Sequence, residues 1–174
     1  LALAERVLGR YGGYLSRDSA ARLRLVRGSA LFRLGRRPEA IEEYTALFDH
    51  FYEREDLPAI HDLLANHSYI EAEDQEILDM AGRVAEITPP HSGYSFEHRY
   101  RYAFACNAAV GSYERALEET DTALELAVES GIPAAEAAAR SHRSYVLVKL
   151  RRFEEAEREL STIPAVDVKD APTV

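Results

Sequence analysis

Residues 34–44 read LGRRPEAIEEY. A glycine ends one apolar-periodic run, a proline follows three residues later, and an alanine sits among glutamates. Proline inside a helix breaks it, but in the first turn its missing N–H is one that has no intrahelical partner anyway. The stretch is therefore a joint, with Gly35 closing one helix and Pro38 opening the next. It returns as VGSYERALEET at 110–120 and as LRRFEEAEREL at 150–160. Aligned on Ala40, Ala116 and Ala156, the copies lie 76 and then 40 residues apart. Because 76 is twice 38, one further unit is expected between the first two. The segment 57–90 fills that place, with Ile77 and Val84 at apolar positions and Pro89 at its end. A repeat of this length is the mark of a stacked helical array.

Outward from the joints, apolar residues recur at helical spacing and no alternating strand of five or more residues is found. The chain reads as all-α, with helices near 1–11, 17–35, 38–53, 57–67, 72–87, 94–110, 113–130, 133–150 and 153–163. Pairing them gives four antiparallel hairpins, at about 17–53, 57–90, 94–130 and 133–163, after a stray helix 1–11. Residues 164–174 are left as a tail or linker. Alanine at 40, 116 and 156 lets the second helix of a hairpin approach the first closely, and larger residues fill the space beyond. An irregular helical bundle is the competing arrangement.

The pattern resembles the tetratricopeptide (TPR) repeat family over about residues 20–163. The first unit supplies Gly28, Gly35, Ala40, Tyr44 and Leu47 at the family's positions, and the third supplies Gly111, Tyr113, Ala116, Thr120 and Ala123. The fourth supplies Ser144, Leu147, Phe153, Ala156, Leu160 and Ile163. Phe104 stands where a small residue is expected, and the second unit lacks both the glycine turn and the alanine. The segment from Arg115 to Ile163 is similar to the loose repeats of about 40 residues in large bacterial signalling and transcriptional regulators. The resemblance implies an α-solenoid and a non-catalytic scaffold that binds protein or peptide along a concave groove. The lining carried over by the alignment is Arg22, Ser29 and Arg33, then His98 and Arg101, then Tyr145 and Lys149. Five of these seven are basic or histidine, which suits an acidic peptide. Ser29, Ala105 and Tyr145 occupy the positions where chaperone-binding members of the family carry asparagines, so a chaperone adaptor is not the expectation.

Composition narrows the classes further. The net charge of −9 conceals an asymmetry. Residues 1–38 carry +7, residues 39–130 carry −16, and residues 131–174 balance. Arg17, Arg22, Arg24, Arg27, Arg33, Arg36 and Arg37 on one helix and its turn make nucleic acid an alternative partner, but the adjoining acidic stretch would repel phosphate. A head-to-tail contact between the basic start and an acidic protein surface is the better use of the asymmetry, with flanking domains, another copy or a different protein as partner. Cys106 is the sole cysteine, so no intramolecular disulfide forms, which suits a cytoplasmic location. No phosphate-binding loop, nucleophile elbow, zinc-protease or EF-hand motif is present, and no cofactor is expected. No two histidines have the three- or four-residue spacing of helical metal ligands; His50 beside Asp49 and Glu53 is the best local cluster. The acidic run at 71–76 reads as negative charge at a helix N-terminus. Leu1, in place of methionine, is read as the edge of a piece cut from a longer protein.

Overall fold

The computed structural model describes residues 1–67, 75–108 and 112–163, which form nine α-helices and one 3-10 turn with no strand among them. The chain divides into two compact units, residues 1–71 and 72–174. That division falls inside the span expected to form the second hairpin. Gly111, the run 68–74 and the tail 164–174 lie outside the described residues, as do the side chains of Gln75's neighbours Glu76 and Ile77.

The first unit holds α1 (Ala2–Tyr11), the turn Gly12–Tyr14, α2 (Arg17–Arg33), α3 (Arg37–Tyr52) and α4 (Leu57–His67). Ser16 caps α2, its hydroxyl accepting the Ser19 N–H at 3.1 Å. Asp56 caps α4 through the Ala59 N–H at 3.3 Å. Consecutive helices pack on one another, and α2 also reaches α4. Tyr44, Leu47 and Phe51 of α3 are thereby enclosed with Leu31, Ile60 and Leu63. Burying each of these side chains contributes on the order of 1.5–3 kcal/mol.

The second unit holds α5 (Gln75–Ile87), α6 (Ser95–Ala108), α7 (Tyr113–Ser130), α8 (Pro133–Lys149) and α9 (Phe153–Ser161). Here the core is built from small residues. Ala127 of α7 meets Ala135 and Ala139 of α8, with Phe96 and Leu124 packed at the side. A second cluster joins Cys106, Leu117, Val146, Leu147 and Ala156. Among the described residues no helix is long and apolar enough to cross a membrane.

The first and last joints behave as their sequence asks. Gly35 takes φ +75°, and the following N–H, of Arg36, bonds to the Leu31 carbonyl at 3.0 Å. In the last hairpin Arg151 occupies the equivalent position with φ +61°, and Arg152 N–H bonds to Leu147 O at 2.9 Å. The backbone path is kept although the glycine is not. Gly28 has a different reason to be small. A Cβ there would lie 2.7 Å from Cε1 of Tyr44, a ring that is itself enclosed and has nowhere to go.

Two substitutions check these joints. Arg151→Gly relieves a left-handed conformation costing an L-residue about 1–2 kcal/mol, against about 0.4–1 kcal/mol of extra unfolded-state entropy. A net gain of about 0.5–1 kcal/mol is expected, read as a higher midpoint in calorimetry. Gly28→Ala forces the Tyr44 ring out of its seat, and denaturant titration should show a loss of about 1–3 kcal/mol.

Candidate functional site

Each joint sequence carries a glutamate three residues after its alanine: Glu43, Glu119 and Glu159. All three carboxylates are largely withdrawn from solvent, and each is held by two guanidinium groups. Glu43 accepts from Arg24 Nε and Arg27 Nη1, both at 2.8 Å. Glu159 accepts from Arg140 Nη1 at 2.6 Å and Arg143 Nη1 at 2.7 Å. In both hairpins the arginines come from the preceding helix, four residues and one residue before its small position, Gly28 or Ser144. Glu119 accepts from Arg99 of α6 at 2.8 Å, but its second arginine is Arg115 of α7 itself, at 2.7 Å. Tyr102 stands where that second arginine would be, and Arg115 lies over its ring at 5.8 Å.

This clamp corrects the alignment of the third unit. Four residues after Arg99 comes Ala103, which is fully buried. Ala103, and not Phe104, is therefore the counterpart of Gly28 and Ser144. Phe104 moves to the next position, shared with Ser29 and Tyr145, and is 40% exposed. The same shift explains His98, expected on the groove but fully buried. Its Nδ1 lies 2.8 Å from the Thr88 hydroxyl, which in turn donates to Val84 O at 2.6 Å, so the ring belongs to the core.

The other expected groove residues divide by unit. In the first, Arg22 is exposed and binds Asp18 at 3.2 Å and also Asp56. Ser29 donates to the Leu25 carbonyl at 3.2 Å, and Arg33 is exposed. In the second, Arg101 is mostly enclosed and lies 3.5 Å from Glu97. Tyr145 is 47% exposed, with the Lys149 ammonium 5.1 Å above its ring. The structure thus brings Tyr145 and Lys149 together, and Phe104 and Tyr145 each contact the same imidazole.

That imidazole is His142, which sequence reading did not single out. It stacks with Tyr145 at 6.5 Å, lies 5.7 Å from Phe104 and meets Tyr100 edge-on at 5.5 Å. Thr120 donates its hydroxyl proton to Ala116 O at 2.6 Å, so at 3.1 Å it accepts from His142 Nδ1–H. This fixes the tautomer and leaves Nε2 a bare acceptor, buried without a hydrogen-bond partner. Burial lowers the His142 pKa to about 4. The result is a neutral, apolar-walled floor beneath two exposed aromatic rings and a cation.

Elsewhere the chemistry is structural. Burial raises the Cys106 thiol to about 11, which keeps it unreactive. His50, the candidate metal ligand, turns to Asp18 at 3.4 Å. Among the described residues no group of three His, Cys, Asp or Glu converges as metal ligands would. Comparison with protein-family models, with curated proteins and with solved structures found no match.

Two measurements bear on this geometry. Removing a clamp carboxylate leaves two half-buried guanidinium groups facing each other, so Glu43→Ala should lower stability by about 2–3 kcal/mol in urea unfolding. For His142, the folded pKa of about 4 lies below the unfolded value of 6.5. Its contribution is complete above pH 6.5 and is lost as pH falls toward 4, because the unfolded chain takes up the proton first. Over that window wild type should lose about 3 kcal/mol more than His142→Asn, in denaturant titrations run at each pH.

Proposed function

We propose that this chain is a non-catalytic interaction scaffold, a TPR-like superhelix that serves as the helical-repeat part of a larger bacterial signalling or transcriptional regulator. Its ligand is an extended peptide of acidic character, bound on the α6–α8 face. The observation that carries this reading is the pair of exposed rings, Phe104 and Tyr145, that each contact the buried His142, with Lys149 over the Tyr145 ring. Two exposed rings on a rigid floor offer anchoring area at low entropic cost. The cation beside them supplies a contact for a carboxylate. Stacking of hairpins is supported by helices that touch both the next helix and the next but one, α2 with α4 and α6 with α8.

The clamps weigh against nucleic acid as the partner. Arg24 and Arg27 are engaged with Glu43, and Arg22 with Asp18 and Asp56, so a phosphate backbone would have to displace carboxylates already in place.

Fluorescence anisotropy with labelled peptides tests the reading, using an acidic set carrying aromatic residues and the same set with Lys for Asp and Glu. The acidic set should bind and weaken with salt. Phe104→Ala and Tyr145→Ala should each reduce affinity by about tenfold. Equal binding of both sets, or no effect of either substitution, would overturn it.

A further inference from the structure

We infer that copies of this chain associate head to tail, with the outer face of α1 in one copy packing against the outer face of α9 in the next. The inference does not depend on the peptide reading.

The position four residues after the hairpin alanine shows what α9 lacks. Tyr44 of α3 and Thr120 of α7 occupy it and are fully enclosed, and α3 and α7 each pack against a following helix of their own unit. Leu160 of α9 occupies it and is 55% exposed. One turn and two turns earlier on the same face stand Glu157, exposed, and Phe153, 61% exposed. At spacings of four and three residues the three form one stripe, apolar at both ends and acidic in the middle. Glu154 adjoins it and is exposed as well. Glu154 and Glu157 have no ion-pair partner among the described residues, whereas Glu155 and Glu159 of the same helix are clamped by arginines.

The complement is on α1. Leu3, Arg6 and Arg10 stand three and four residues apart on one exposed face. Neither arginine has a carboxylate partner among the described residues; Arg10 lies 5.5 Å over the exposed Tyr11 ring. An apolar and basic stripe of about one helix length thus matches an apolar and acidic stripe of the same length. Unpaired charges of opposite sign set orientation and speed encounter, while the apolar residues supply the holding energy. The two surfaces differ, so the contact is heterologous and each added copy presents a fresh face. Two helices of about ten residues bury less than a standard interface of roughly 1,600 Å², which places the expected Kd at about 10–100 μM.

Sedimentation velocity over a concentration series decides the matter. In 50 mM salt the weight-average mass of the wild type should rise past that of a dimer, and 500 mM salt should suppress the rise. The double variants Phe153→Ser with Leu160→Ser, and Arg6→Ser with Arg10→Ser, change exposed side chains and should keep the wild-type circular dichroism and melting temperature. Each should remain monomeric alone, and their equimolar mixture should stop at a dimer, since one intact pair of faces remains. A wild type that stays monomeric at 500 μM overturns the inference. So does association that persists in either variant, or a mixture that fails to form the dimer.

Discussion

The carboxylate held between two guanidinium groups is the interaction on which the first, third and fourth hairpins depend for their register. Apolar burial supplies most of the stability, but apolar contacts tolerate sliding and rotation of one helix on another. The enclosed carboxylate of Glu43 or Glu159 does not. It must lie opposite arginines spaced three apart on the facing helix, and a shift of one residue would leave three charges unmatched in a poorly solvated seam. The alanine three residues earlier brings the helices close enough for the arginines to reach. Close approach and charge pairing are thus two parts of one device.

The third hairpin shows how much variation the device allows. Tyr102 replaces the second arginine of α6, and Arg115 supplies the missing guanidinium from the same helix as Glu119. The number of charges around the carboxylate is preserved while their source changes. The two cores vary more freely. The first unit encloses Tyr44, Leu47 and Phe51, and the second lets Ala127, Ala135 and Ala139 meet directly. With smaller side chains the helices of the second unit meet through alanine, and the aromatic residues of α6 that do not fit inside are turned outward or stacked, Phe104 beside His142 among them.

Burial gives the two histidine–threonine pairs their character. In each, the threonine hydroxyl bonds the carbonyl one turn back and leaves its oxygen to the imidazole. That arrangement satisfies one ring nitrogen in each pair, and at His142 burial keeps the ring neutral. Around His142 it produces a rigid seat for two exposed rings, so a core requirement and a surface property come from the same residue.

The helices, their joints and the closeness at Ala40, Ala116 and Ala156 were legible in the sequence, because helical period, glycine and proline act locally. Helix ends expected among the described residues agree with the pattern to within about two residues, as local signals allow. Even the clamp glutamates stood at a fixed offset in the three joint stretches, although nothing in a linear reading showed which charges would be paired and which solvated. Register across a hairpin is different in kind. Ala103 and Phe104 are neighbours in sequence, and only the opposition of Arg99 to Glu119 decides which faces the core. The burial of His98 and the exposure of Phe104 follow from that opposition, and the exposure of Leu160 follows from α9 being the last helix among the described residues. Sequence determined where the helices lie along the chain, since each is set by residues within a few positions of one another. Tertiary structure decided which face each helix turns inward, since that depends on a partner some twenty residues away.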